Sequence, residues 1–213
     1  MTTSTPLTKD LVNDPAYCRL DLRIGVTALD VMIYNPLEDN SLLLRHCELG
    51  GDGGDSLKQL ETFIYDNPLL LSDFKTTTAI IESRRFMAVP DAIADACDHI
   101  ALLREADSDI DRRDTVIDDR LDTFGARLLT PADTPVVNFL RRTFPNIRLH
   151  NSIHPFTRCC HANLTKGNTV KVFVNMRGRS LDIVVMSSNS LHLLNRFEYR
   201  DINDAAFYIL NCT

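Results

Sequence analysis

Two stretches of this chain, 152 residues apart, carry the same order of strands and turns, and this duplication limits the folds that the chain can adopt. Leu29-Asp30-Val31 in the first stretch matches Leu181-Asp182-Ile183 in the second. Each stretch predicts three strands followed by an amphipathic helix. Alternating strands resemble one another easily, so two unrelated three-stranded meanders are the alternative explanation. The shared order of elements favours duplication.

The alternation of apolar and polar residues gives the expected bounds of these elements. In the first stretch the predicted strands are Leu20–Ile24, Leu29–Tyr34 and Ser41–Leu49, followed by a helix that places Leu57, Leu60 and Ile64 on one face. In the second they are Val170–Asn175, Leu181–Ser187 and Leu191–Tyr199, followed by the helix Asp201–Leu210, with Asp201 as its cap and Ile202, Ala205, Ala206 and Ile209 on one face.

The segment between the two stretches predicts further strands and helices, which makes the chain an α/β protein with mixed sheets. The expected elements are strands at 76–82 and 86–89, a helix from Pro90 to about Leu103, a hairpin within Asp118–Leu129, a helix capped by Thr130 with Pro131 as its first residue, a strand at Ile147–Leu149 and a helix at Ser152–Leu164.

Composition excludes several classes of protein. The 213 residues carry a formal net charge of −6, which argues against a general nucleic-acid binder, since the phosphate backbone demands a cationic face. No apolar run reaches the ~20 residues that a membrane helix needs, so no integral membrane segment is expected. The six cysteines form no C-x-x-C pair, which fits reduced, buried thiols in a cytoplasmic protein.

The paired meanders resemble the superfamily of actin, the sugar kinases and the heat-shock chaperone ATPases. The chain is more closely similar to a family of uncharacterised bacterial proteins, mostly from the Bacteroidota, with an actin-like ATPase fold. The cues are Phe86-Met87-Ala88-Val89-Pro90, Phe144-Pro145 followed by His150, and Leu194-Asn195-Arg196-Phe197-Glu198-Tyr199. The resemblance implies duplicated, ribonuclease H-like lobes. The expected domains are a flexible segment at 1–16, a first lobe with insertions at 17–165, and the start of a truncated or shortened second lobe at 166–213.

In that superfamily the first turn of each meander is a phosphate loop, and ATP binds between the lobes. The first loop is typically Asp-x-Gly-Thr/Ser; here Arg23 replaces the aspartate, Gly25 is kept and Thr27 lies one place later. The second loop is typically Asp-x-Gly-Gly-Gly-Thr; here Asn175 replaces the aspartate and Gly178 is the one glycine left. The candidate nucleotide-binding residues are Arg23, Gly25, Thr27, Arg177, Gly178 and Arg179.

Because both aspartates that would organise Mg²⁺ are replaced, we expect no catalytic residues, no metal and no required cofactor. The expected function is that of a scaffold or interaction module that binds a protein partner or a second copy of itself. The alternative is an ATPase or kinase that uses ATP and Mg²⁺ with a divergent site. The three arginines can grip a phosphate or carboxylate, or point into solvent as ordinary turn residues.

A second cluster has the residue types that bind zinc. It comprises His150, His154, Cys159, Cys160 and His161. His150 and His154 are four residues apart and would share a helix face, but the other three do not fall beside them. We therefore interpret the cluster as ordinary helix-surface and core residues rather than as a metal site.

Overall fold

The computed structural model describes residues 7–8, 11–39, 41–49, 56–164 and 169–212. Residues 50–55, which directly precede the first predicted helix, lie outside these ranges. The elements, numbered in chain order, are β1 (Arg19–Ile24), β2 (Ala28–Tyr34), β3 (Leu43–Glu48), α1 (Ser56–Tyr65), β4 (Thr76–Ile81), β5 (Met87–Pro90), α2 (Asp91–Ala96), α3 (His99–Ala106), β6 (Thr115–Leu121), β7 (Ala126–Ala132), α4 (Thr134–Thr143), β8 (Arg148–Asn151), α5 (Ile153–Ala162), β9 (Lys171–Arg177), β10 (Ser180–Met186), β11 (Leu191–Glu198) and α6 (Ile202–Asn211).

The three strands of the first stretch and two strands of the segment that follows it form a five-stranded sheet with the strand order β3-β2-β1-β4-β8. Its first three strands are an antiparallel meander, and β4 and β8 extend it in parallel. Leu20, Leu22 and Ile24 alternate along β1 and are buried on one face, as period-2 patterning requires. Helices α1 and α4 contact each other and contribute Leu60, Ile64 and Phe139 to the same hydrophobic core.

An insertion between β4 and β8 builds a small sheet with the order β5-β7-β6. The single helix predicted from Pro90 to Leu103 is wrong: α2 ends before Cys97, and a new helix begins because Asp98 accepts a hydrogen bond from the Ala101 amide. Thr130 and Pro131 do not start a helix either. Both residues lie in β7, where they pair with Ile117 and Val116 of β6. The pairing of β7 with β5 ends at Leu129. The proline lies beyond that point, so its missing N–H removes no hydrogen bond to β5.

The helix after this hairpin begins at Thr134 instead. Asp133 is its N-cap and Pro135 lies in its first turn, where a proline costs no helical hydrogen bond. The sequence pattern therefore predicted the helix correctly but started it three residues early.

The second stretch forms a three-stranded antiparallel sheet, β11-β10-β9, with α6 packed on one face. Asp201 caps α6 as expected, because its carboxylate accepts from the Asn203 and Asp204 amides. The predicted apolar face of this helix is only half right: Ala205 is buried, whereas Ile202 is 67% exposed. The helix is rotated so that one apolar stripe faces away from its sheet.

Helix α5 links the two stretches. It follows β8 directly and packs against β10, where Cys160 lies in a cluster with Val184 and Met186. At the other end of the chain, Leu7 is fully buried, and its amide donates to Asn67 Oδ1 at 2.7 Å. Among the described residues, no helix combines the length and the apolar character needed to cross a membrane.

Candidate functional site

The two meander turns predicted to be phosphate loops lie on opposite sides of one cavity. The cavity has a volume of about 540 Å³. Its lining residues are Val26 and Thr27 from the first turn, Arg177, Arg179 and Ser180 from the second, and Glu82, Ser83, Arg84, Arg196 and Glu198. The duplicated turns thus form a cleft between the two stretches, as expected from the resemblance.

The second turn is a tight hairpin. Arg177 pairs with Ser180 across it, so Gly178 and Arg179 form a two-residue loop. Gly178 has φ 51°, a left-handed conformation that glycine adopts without steric cost. This backbone shape is by itself a reason for a glycine at this position.

A carboxylate missed in the sequence stands between the two turns. Glu82 directly follows β4, and its side chain lies 3.2 Å from Arg177 Nη1 and 3.6 Å from Arg23 Nη1. Its Oε2 atom would be only 3.0 Å from a Cβ atom on Gly25. A larger residue in place of Gly25 would therefore crowd Glu82, which ties together the arginines of the two turns.

The six candidate nucleotide-binding residues do not all line this cavity. Thr27, Arg177 and Arg179 do, and Gly25 and Gly178 shape the turns behind them. Arg23 is turned toward β2, where its guanidinium contacts Asp30 Oδ2 at 2.5 Å. Burial alone would raise the pKa of Asp30, but the hydrogen bonds from His46 and Arg23 prevail and lower it.

The charges of the cavity are largely balanced by ion pairs. Arg177 is bound to Glu82, and Arg84 contacts Glu198 at 2.9 Å in an exposed pair. Arg179 is the lining arginine that has no carboxylate at ion-pair distance within the described ranges of the chain. The cavity is thus equipped to hold an anion at Arg179, whereas both of its carboxylates already contact arginines.

A buried ion pair fixes the back of the cleft. The Arg196 guanidinium contacts Asp182 Oδ1 at 2.5 Å, and these side chains are 8% and 1% exposed. Arg196 also donates to the Ser83 carbonyl oxygen at 2.7 Å and to Ser152 Oγ at 3.1 Å. Asn175, which replaces the second loop's aspartate, donates to the same Asp182 at 3.2 Å. One arginine of the second stretch is therefore anchored to residues just after β4 and just after β8.

The histidine and cysteine cluster divides into two parts. His150 and His154 stack with ring centroids 4.6 Å apart, next to the buried Asp119. Burial lowers the pKa of His154; the nearby Asp119 opposes this shift, and His150 adds to it. Cys160 points into the core of the second stretch, and burial raises its pKa to about 12.

The other two members of that cluster lie elsewhere. Cys159 is exposed, and the His161 ring contacts the Ser188 carbonyl oxygen at 3.2 Å. The five residues therefore do not come together in one place, but His150 and His154 meet Asp119, which sequence spacing could not reveal.

Comparisons with known proteins place this geometry in context. The model of a family described as "Protein of unknown function (DUF3822)" matches residues 9–213. A Bacteroides thetaiotaomicron protein with an actin-like ATPase fold and unknown function aligns over 93% of this chain and 76% of its own, with 22% identity and a TM-score of 0.78. This similarity shows the fold: the chain has the actin-like ATPase architecture. No curated protein matches it.

More distant structures align over smaller shares of their length. A Ppx/GppA family member from Aquifex aeolicus covers 87% of this chain and 52% of its own, with 11% identity and a TM-score of 0.44. A PilM–PilN type IV pilus biogenesis complex covers 84% and 61%, with 11% identity and a TM-score of 0.46. The chain spans about half to three fifths of these two structures.

Proposed function

Because this chain belongs to the DUF3822 family of unknown function and has an actin-like ATPase fold, we propose that it is an interaction module that does not hydrolyse ATP. The observation that carries the proposal is the ion pairing of Glu82 with the arginines of both meander turns. Two further features support it: the replacement of both loop aspartates, and an apolar surface on the second stretch that fits a protein segment.

The loss of hydrolysis follows from what the cleft carboxylates contact. Phosphoryl transfer needs Mg²⁺, which is held by carboxylates together with the substrate phosphates. Here Arg23 occupies the first aspartate position, and Asn175 at the second donates to Asp182. Glu82 is the carboxylate nearest to both turns, and a cation beside it would have to displace Arg177.

The interaction surface is apparent when the duplicated strands are compared at the offset of 152. Leu22 and Ile24 of β1 are 0% and 8% exposed, whereas their counterparts Val174 and Met176 of β9 are 37% and 46% exposed. In the first stretch β4 pairs along β1, and α4 contacts α1. Within the described residues, β9 has no second neighbour in its sheet.

Helix α6 continues this apolar surface. Ile202, Phe207 and Leu210 are 67%, 62% and 73% exposed. In the first stretch the helix at this position, α1, places Tyr65 edge-on against Phe139 of α4, with ring centroids 6.0 Å apart. The second stretch therefore exposes the apolar surface that β4 and α4 cover in the first. We propose that a partner supplies a strand along β9 and a helix against α6.

A calorimetric titration tests the first half of the proposal. Adding ATP with Mg²⁺ to the full chain should give no phosphate release, and Mg²⁺ should not strengthen any binding of ATP. Binding that depends on Mg²⁺, together with measurable phosphate release, would contradict the proposal. Anion binding that is independent of Mg²⁺ and is lost in Arg179→Gln would instead identify a metal-free phosphate site.

Site-specific photocrosslinking in the cells of origin tests the second half. A photoreactive residue at Met176 should give an adduct with another protein or a second copy, and Leu210→Asp should abolish it. The control position is Leu37, which is 77% exposed in the turn between β2 and β3 and should give no such adduct. Adducts of equal yield at both positions, or an adduct within the same chain, would contradict the proposal.

A further inference from the structure

Three side chains from three elements converge where β6, β8 and α5 meet. Asp119 lies on β6, His150 on β8 and His154 on α5, and one ligand atom from each lies within 4.8 Å of the other two. Only three residues separate the histidines, so the turn from strand into helix sets their rings side by side at an interplanar angle of 17°. Two imidazoles and a carboxylate are thus gathered in one place by chain segments about 30 residues apart.

The carboxylate of this cluster is fixed and lacks a strong cationic partner. Asp119 is 3% exposed. Its Oδ2 accepts from the Asn151 amide at 2.8 Å, and its Oδ1 contacts His150 Nδ1 at 2.5 Å. Over the described parts of the chain, no arginine or lysine forms an ion pair with it. A buried carboxylate is costly unless its charge is balanced, and a divalent cation would balance it.

The donor set favours zinc among the divalent ions. Imidazole nitrogens suit zinc and other first-row metals, whereas Mg²⁺ and Ca²⁺ prefer sets made of oxygen. Zinc sites with three protein ligands keep a fourth position open, with metal–ligand distances of about 2.0–2.2 Å. Ligand atoms of such a site lie ~3.4 Å apart, so the present atoms need to move by about 1 Å, which rotation of the imidazole rings can supply.

The open position would face a cavity. His154 lines a space of about 450 Å³ that also contains Arg120, Arg158 and His161. Arg120 is already paired with Asp122 of the same lining at 2.9 Å, whereas Arg158 has no ion pair within the described residues and favours a negatively charged fourth ligand, such as hydroxide or a small carboxylate or phosphate. The Asn151 amide on Asp119 Oδ2 would remain in place and hold the carboxylate as an outer-shell partner does.

From this geometry we infer that Asp119, His150 and His154 form a zinc-binding site that opens toward the cavity beside α5. This site is separate from the cleft between the meander turns and does not depend on the function proposed for that cleft. It goes beyond the sequence interpretation because Asp119 supplies the third ligand in place of the cysteines.

The test is a calorimetric titration of the chelator-treated full chain with Zn²⁺ alone. All proteins would carry Cys97→Ser and Cys159→Ser, so that these two exposed thiols cannot contribute to the measured zinc binding. One ion per chain is expected, and His154→Gln should weaken the affinity at least tenfold. The matched control is His161→Gln, which lies on the same helix and lines the same cavity but should leave the affinity unchanged.

X-ray absorption at the zinc edge provides a second readout that does not depend on any variant remaining folded. Nitrogen and oxygen neighbours at about 2.0–2.2 Å are expected, without the sulfur at about 2.3 Å that a cysteine site would show. Equal affinity of the parent chain and His154→Gln, the absence of binding by the parent chain, or sulfur in the coordination shell would each overturn the inference.

Discussion

Replacement of Arg196 by methionine should be among the most destabilising single changes in this protein. The substitution keeps an apolar stem of similar length but removes the guanidinium, which has four polar contacts: two to Asp182 at 2.5 and 3.2 Å, one to Ser83 and one to Ser152. Asp182, 1% exposed, would then keep the Asn175 amide at 3.2 Å as its side-chain donor. An uncompensated buried charge of this kind costs about 3–5 kcal/mol.

The control is Arg84→Met, which breaks the Arg84–Glu198 pair. Those side chains are 80% and 66% exposed, and exposed pairs contribute about 0–1 kcal/mol. A double variant, Arg196→Met with Asp182→Leu, should recover most of the lost stability, because an apolar pair often replaces a buried ion pair without net cost.

Urea unfolding followed by far-UV circular dichroism measures these differences, since the chain has no tryptophan to serve as a fluorescent probe. For a chain of this size, the expected loss corresponds to a fall of roughly 6–20 °C in melting temperature. If Arg196→Met costs less than about 1 kcal/mol, or no more than Arg84→Met, the polar contacts of Arg196 do not hold β11 to Ser83 and Ser152 as described.

Three further predictions concern single sites. Leu22→Ala should cost about 2–5 kcal/mol, and its half-exposed counterpart Val174→Ala less than about 1 kcal/mol, in the same urea assay; equal costs would contradict the difference in packing. Cys159 should react quickly with a disulfide reagent at pH 8 while Cys160 stays protected, because burial raises the pKa of Cys160 to about 12; mass spectrometry of the two adjacent sites decides. Folding lowers the pKa of Asp30, so its contribution to stability is present above about pH 4 and is lost as the pH falls through the folded-state value. Asp30→Asn should therefore reduce the fall in the free energy of unfolding at acid pH. An unchanged fall would show that Asp30 does not cause it.

The sequence revealed most of the duplicated architecture because strand alternation and capping act locally. The meanders appear at the expected places, and Asp201 caps its helix as the pattern indicates. Errors arose where tertiary pairing decided the outcome. Thr130 and Pro131 resemble a helix start, yet their pairing with β6 places them in a strand.

The candidate site was predicted less completely, for a related reason. Both turns were identified from local pattern, but Glu82 reaches them only because β4 pairs in parallel with β1, which places its end beside Ile24. Likewise, Asp119 meets the two histidines through the packing of β6 on β8. Contacts that depend on parallel strands or on an inserted sheet leave no periodic signal in the sequence.

The parallel pairing of β4 with β8 also has a consequence for folding kinetics. Thr78 lies opposite Arg148, so the whole insertion and α4 must be in place before the five-stranded sheet is complete. Closing so long a loop slows folding, since its entropic cost comes before the contact is made. During synthesis from the N-terminus, the edge of β4 stays unpaired until β8 has emerged. We expect that interval to be the time when a nascent chain of this family is most prone to aggregate.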